Sequence, residues 1–365
     1  MAKDFNYTTS DEQIAHLRRK GLIFDNEANA KRNLERYGYY NIINSYRGPY
    51  QTIVNGKKEY LSGTTFEQIF SMFTLDHNLR NSIMASMLDL EECLRAATAE
   101  VIAKNFGLDH HSYLDFKNFR DRPSTNPKFS LRNILGTLHT NVHSGKNPIK
   151  YYRETYDIVP PWILLKGTYF STLVNLIKCL KHSQKQQLLH ILVTNLDREI
   201  DAEIISLFQT VLFICLDYRN AAAHGGRIYN FQSSHADKLK ITENIITHFP
   251  HLQNADSQTG IYQFINLLSI FNNRQSIRII TATLNQQIDR HLKIYPRDIT
   301  LLSENYGIQI DQKMYVFINE KTKLYHYNPN CSGITNAHKI PLSAQIETDY
   351  IPCKRCVTPN KANKQ

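Results

Sequence analysis

The sequence predicts a mainly α-helical protein, a helical bundle followed by a small C-terminal α+β module. Three observations predict it. Apolar residues recur every three or four positions over long stretches, most clearly at Leu75, Leu79, Ile83, Met87, Leu90, Leu94 and Ala97. Gly and Pro are few, 14 and 12 in 365 residues, so little interrupts those stretches. From Met314 onward the periodicity changes to alternation, Met-Tyr-Val-Phe-Ile and then Lys-Leu-Tyr-His-Tyr around Asn319-Glu320, the pattern of a β-hairpin.

The elements follow in order. Thr9-Ser10-Asp11-Glu12 precedes Ile14, Leu17 and Leu22 and marks a helix start. Residues Asn26 to Tyr46 read as a second helix, and Gln51 to Ser62 as a loop or short hairpin around Asn55-Gly56. Phe66 to Phe106 is one long helix or two abutting ones. Asp109 to Pro148 is polar, rich in His, Asn and Ser, and reads as an insertion with short helices. Further helices are expected over Trp162 to Leu180, Gln184 to Asn195, Asp201 to Ala223, Ala236 to Phe249 and Gly260 to Ala282. These patterns divide the chain into an N-terminal helical segment (1–60), a helical domain with an insertion near 109–148 (61–306) and a C-terminal module (307–365).

Bulk properties narrow the function. The net charge is +10, which favours a polyanionic partner, and 21 tyrosines offer rings for stacking on unpaired bases. The first residues carry no apolar signal segment and no apolar run is long enough to cross a membrane, so a cytoplasmic protein with reduced thiols is expected. Cys93, Cys179 and Cys215 sit in apolar helical patterns and read as inert core thiols. No phosphate-binding Gly-rich loop, Gly-x-Ser-x-Gly elbow or His-Glu-x-x-His is present.

The segment that ends the apolar helix is Tyr218-Arg-Asn-Ala-Ala-Ala-His-Gly-Gly-Arg227. Bare Arg-x4-His spacing is expected about once by chance in a chain of this composition, so the context carries the weight. Asn220 and His224 are four apart and share a helix face. Arg219 lies about 140° around the helix from His224, a gap its long side chain can cross. Three alanines leave open space between the polar groups, and Gly225-Gly226 stops the helix. A His at a helix C-terminus also satisfies the helix dipole, which is the plainer reading of the same residues.

Arg-Asn-x-x-x-His at the end of an apolar helix resembles the HEPN ribonuclease motif. The Gly-Gly-Arg-Ile-Tyr-Asn that follows resembles the Abi-D/Abi-F branch of abortive-infection proteins. Other segments, in order, resemble the same branch: Glu12-Gln13-Ile14 to Gly21-Leu22, Tyr39-Tyr40 to Tyr50, Leu90-Glu91-Glu92-Cys93-Leu94-Arg95, and Pro160-Pro161-Trp162 to Leu176. Ser171 stands where that branch usually has Gly. The resemblance covers roughly residues 9–250. It implies a HEPN-type helical bundle, a homodimer with a composite cleft, and metal-independent RNA cleavage by attack of the ribose 2′-OH on the adjacent phosphate. Arg219, Asn220 and His224 then take the catalytic roles, and Arg227 and Arg95 become candidate RNA contacts. For Arg95, an ion pair with Glu91 or Glu92 competes with that role. The resemblance also implies an anti-phage, toxin-like role, restrained by a small structured noncoding RNA. A non-cleaving RNA-binding module is the alternative.

The C-terminal module carries His326, Cys331 and Cys353-x-x-Cys356. Cys-x-x-Cys with a distant His and Cys makes a tetrahedral N1S3 set for a structural Zn2+. A tail of about 50 residues has too small a core to fold without such a staple. His338 competes with His326 for the nitrogen position. Lys354 and Arg355, inside the Cys-x-x-Cys loop, are further candidates for contact with RNA.

Overall fold

The computed structural model describes residues 7–122, 124, 126–193, 200–307, 315–326, 331, 333–334, 336–342 and 344–353. It is a mainly helical protein with a small C-terminal sheet. No helix among the described residues is long and apolar enough to cross a membrane.

The first helix, α1 (Ser10–Arg19), starts where the sequence signalled. The Thr9 hydroxyl accepts from the Glu12 amide and the Glu12 carboxylate accepts from the Thr9 amide, so two end donors are satisfied reciprocally. Helix α2 (Glu27–Tyr37) is capped by Asn26 and stops at Gly38, where φ is +84°. The single helix expected to Tyr46 is therefore shorter, and a π-helical turn (Tyr40–Asn44) continues the path. Strands β1 (Gln51–Val54) and β2 (Lys57–Tyr60) form the short antiparallel hairpin at Asn55-Gly56. Both turn residues have positive φ, +48° and +75°, as a two-residue hairpin turn of the mirror-image type requires.

Helix α3 (Phe66–Phe106) is one unbroken element of 41 residues, about 60 Å long. Thr65 caps its start and the backbone N–H of Gly107 closes its end. The insertion holds α4 (His110–Tyr113) and α5 (Leu131–Val142), followed by α6 (Ile149–Tyr156). Where one helix was expected over 162–180 there are two, α7 (Pro161–Lys166) and α8 (Phe170–Cys179), parted at Gly167-Thr168-Tyr169. Then come α9 (His182–Leu192), α10 (Ala202–Ala223) and α11 (Glu243–His248). The helix expected from 236 is thus reduced to a 3-10 turn and the short α11, because Thr242 caps a new start. The expected 260–282 helix also divides, into α12 (Gly260–Leu268) and α13 (Arg274–Ile294). Between them Phe271 bridges to Val193, and Asn273 caps α13. Helix α14 (Ile299–Tyr306) follows.

Helix α3 is the axis of the bundle and packs against α7, α9, α10 and α13. Ile14, Leu34, Ile42 and Tyr46 from the first sixty residues join the same continuous core as Leu79, Leu90, Phe208 and Leu284. The C-terminal sheet has the order β5-β3-β4-β6: β3 (Tyr315–Asn319), β4 (Leu324–His326), β5 (His338–Pro341) and β6 (Ile351–Pro352). The predicted hairpin is β3–β4, with Phe317 opposite His326, and β6 adds in parallel. Val316, Ile318, Tyr325 and Leu342 make a small core of their own, seated on Ala282 of α13 beside α15 (Ala344–Asp349).

Candidate functional site

Helix α10 carries the Arg-Asn-x-x-x-His element. Asp201 starts it by accepting from the amides of Glu203 and Ile204, each 2.9 Å. Ile204, Phe208, Val211, Leu212, Cys215 and Tyr218 bury one side in the core, which fixes the rotation of the helix. The helix ends with paired bonds, Gly226 N–H to Ala221 O at 2.8 Å and Gly225 N–H to Ala222 O at 3.4 Å. This is the Schellman arrangement, with Gly225 at φ +71°. A Cβ at Gly226 would lie 2.9 Å from the Ala221 carbonyl oxygen, so the second glycine is a steric requirement.

His224 caps the helix and its side chain is exposed, while Arg219 and Asn220 are half-buried. Arg219 Nη1 donates to Asn220 Oδ1 at 3.4 Å. The Arg219 charge is also felt at Glu91 on α3: burial raises the Glu91 carboxyl above its usual range, and Arg95 and then Arg219 oppose that rise. The structure therefore joins Arg219 to Asn220 and places it in the electrostatic field of Glu91. Among the described residues no hydrogen bond ties the His224 ring to either Arg219 or Asn220.

Arg95 and Arg227, the candidate RNA contacts of the helical domain, are both engaged. Arg95 pairs with Glu91 and donates to the Thr168 carbonyl at 2.9 Å, tying α3 to the break between α7 and α8. Arg227 donates to the Ser45 carbonyl at 3.1 Å and lies 6.0 Å over the Tyr229 ring. Arg227 stays exposed at the same end of α10 as His224.

Two groups that sequence reasoning missed hold this end in place. Asp76, on α3, is wholly buried and accepts from the amides of Ile228 (3.0 Å) and Tyr229 (2.7 Å), from the Tyr46 hydroxyl (2.6 Å) and from Arg80 (3.2 Å). Burial raises its carboxyl and is the largest influence on it; these partners pull the other way. Arg80 also reaches the Gly226 carbonyl at 3.4 Å. The one signal in the sequence was a charged pair, Asp76 and Arg80, inside an apolar helix. The second group is Asp217, seven residues before His224 and within about 20° of it around the helix. One Asp217 oxygen accepts from Ser233 (2.6 Å), Ser234 (3.0 Å) and His235 Nδ1 (3.0 Å), and the His235 ring stacks on Phe213 at 4.9 Å. Burial works to raise the Asp217 carboxyl, but these hydrogen bonds outweigh it and hold it below the usual range. A histidine fixed through Nδ1 thus stands on the face that carries His224.

At the C-terminus, His326, Cys331 and Cys353 bring their ligating atoms within 4.8 Å of one another. The Cys331 and Cys353 sulfurs are 4.0 Å apart, close to the roughly 3.8 Å of two thiolates on one tetrahedral Zn2+ and far beyond a disulfide. His326 is buried at the end of β4, and burial lowers its imidazole. Gly333 leaves the space open: a Cβ there would lie 3.4 Å from the His326 ring and 3.8 and 3.9 Å from the two sulfurs. One nitrogen and two sulfurs are a donor set that fits zinc. His338 is exposed on β5 and is not in the cluster. Cys356, Lys354 and Arg355 lie outside the described residues. Of the helical cysteines, Cys179 and Cys215 are buried as expected and Cys93 is half-buried.

The family model of Abi-like proteins matches residues 32–230, more than half of the chain. No curated protein and no solved structure matches it.

Proposed function

Because the chain belongs to the Abi-like protein family, we propose that it is the effector of an abortive-infection system, a HEPN-type ribonuclease whose catalytic groups are Arg219, Asn220 and His224. The observation that carries this reading is the end of α10. It is locked by Gly225-Gly226 and by Asp76, yet it leaves the His224 imidazole exposed. A rigid backbone presenting one free imidazole suits proton transfer at a bound polymer.

In this reaction the ribose 2′-oxygen bonds to the adjacent phosphorus and the 5′-oxygen leaves, giving a 2′,3′-cyclic end. His224 takes the 2′-OH proton or supplies the leaving oxygen's proton. The Arg219 guanidinium stabilises charge on the phosphorane-like transition state. Asn220 orients Arg219, whose Nη1 it already accepts. Within one chain, among the described residues, Arg219 is hydrogen-bonded to Asn220 and not to His224. A homodimer, in which the arginine and histidine of facing copies share one cleft, supplies both groups to one phosphate. DNA lacks the attacking hydroxyl and is not cut. Arg227 and, once freed from Glu91, Arg95 contact the RNA backbone, as do Lys354 and Arg355. The C-terminal module holds a structural Zn2+ through His326, Cys331, Cys353 and Cys356, with no part in the chemistry.

Induced expression in a bacterial host tests the reading. Wild type is expected to arrest growth and His224→Ala is not. That no hydrogen bond among the described residues joins Arg219 to His224 favours a second reading, a non-cleaving module that holds a structured noncoding RNA. Equal toxicity of both proteins, with RNA bound to each, would support that one.

A further inference from the structure

Away from α10, a hydrogen-bonded series runs from a serine through a histidine to a carboxylate. Ser71 Oγ lies 2.9 Å from His291 Nδ1, and His291 Nε2 lies 2.9 Å from Asp298 Oδ2. Asp298 is fixed in turn by the Tyr50 hydroxyl at 2.7 Å and by Gln68 Nε2 at 2.9 and 3.0 Å. His291 is 1 % exposed, and its ring is held at both nitrogens. Burial works to raise the Asp298 carboxyl, but the hydrogen bonds from His291, Tyr50 and Gln68 outweigh it and keep it below the usual range. An ionised Asp298 can only accept, so it faces an N–H at His291 Nε2, and in the neutral ring Nδ1 is then the acceptor for the Ser71 hydroxyl. Thr74 and Ser82 on the same helix bond back to their own backbone, to Phe70 and Leu79; Ser71 is committed to the histidine.

The series opens on a cavity. Ser71 and His291 line a cleft of about 180 Å³ between α2, α3 and α13. Its other walls supply hydrogen-bond donors. Arg290 and Asn33 carry no hydrogen bond or ion pair among the described residues. Gln287 uses its oxygen to accept from Asn78, which leaves its amide N–H groups for the cleft. A nucleophile, a base in contact with it, an orienting acid and uncommitted donors around a small cavity are the parts of a serine acyl-transfer centre.

We propose that this cleft is a second reaction centre, in which Ser71 is acylated by small esters and His291 and Asp298 act as base and orienting carboxylate. The Ser71 oxygen bonds to the acyl carbon while its proton passes to His291 Nδ1. The ester's alkoxide leaves with that proton as an alcohol, and Ser71 is left esterified. Water then attacks the acyl carbon, again losing its proton to His291, and the carboxylic acid departs as Ser71 regains its hydrogen. No oxidant or cofactor is consumed. Arg290, Asn33 and Gln287 are the donors available to the tetrahedral oxyanion. The volume limits the acyl group to a few carbons. The proposal does not depend on the RNA chemistry assigned to His224.

The test uses the full chain and a small fluorophosphonate, followed by intact mass and peptide mapping. The expected result is one adduct per chain on Ser71. It is absent in Ser71→Ala and forms at least tenfold more slowly in His291→Gln and Asp298→Asn, each checked for native near-UV dichroism. Ser71→Ala removes one oxygen from a half-buried site and serves as the control if the two buried variants fail to fold. Absence of an adduct on folded wild type, or an adduct that persists in Ser71→Ala, overturns the proposal.

Discussion

The carboxylate of Asp76 lies 2.7 Å from the amide nitrogen of Tyr229, joining the long helix α3 to the segment that leaves the candidate site. The same carboxylate takes the Ile228 amide and the Tyr46 hydroxyl. Three distant parts of the chain thus meet on one buried group, and the backbone just past His224 has no freedom to drift.

Removing that group should unlock the site. Asp76→Ala leaves Arg80 buried without its partner and two amides unsatisfied, a change that costs about 3–5 kcal/mol. Urea unfolding of the purified variant measures it. A loss below about 1 kcal/mol, the size of an exposed pair, would mean that the network does not anchor this end.

Acid should act on Asp217. Its folded carboxyl is held below the unfolded value of about 3.9. Its contribution to stability is therefore complete above that value and is lost as pH falls through the lower, folded one. Wild type is expected to lose stability more steeply below about pH 4 than Asp217→Asn. Urea midpoints measured from pH 3 to 6 would decide, and parallel curves would refute it.

Metal content tests the C-terminal module. Purified wild type should hold about one zinc per chain by elemental analysis, and Cys353→Ser close to none. The variant should also lose protection of the β3–β6 sheet in hydrogen exchange while α3 stays protected. Wild type that binds no zinc on reconstitution would leave the His326, Cys331 and Cys353 cluster a packing feature only.

Much of this fold was legible because its signals are local. The Thr9 capping box, the Asn55-Gly56 hairpin and the Gly225-Gly226 stop each act within a few residues. Helix ends set by tertiary contacts were not legible. The break at Gly167-Thr168-Tyr169 places the Thr168 carbonyl against Arg95, and the break before Asn273 joins Phe271 to Val193. The candidate site divides the same way. Asn220 and His224 followed from helix spacing and the glycines, but the charge that Arg219 meets is on Glu91, 128 positions earlier. Asp76 reaches residues about 150 positions away, and the partners of Asp217 lie in what periodicity presented as the approach to another helix. His326 was the nitrogen ligand read from the sequence, with His338 as its competitor, and the sheet buries the first and exposes the second.

The role of His224 is tested most directly by incubating purified protein, freed of copurifying nucleic acid, with single-stranded RNA and matched DNA in zinc-replete, magnesium-free buffer. Cleavage of the RNA alone to 2′,3′-cyclic ends by wild type, reduced at least 100-fold in His224→Ala, is the predicted result. Intact RNA in both reactions, with tight binding that survives the substitution, would contradict it.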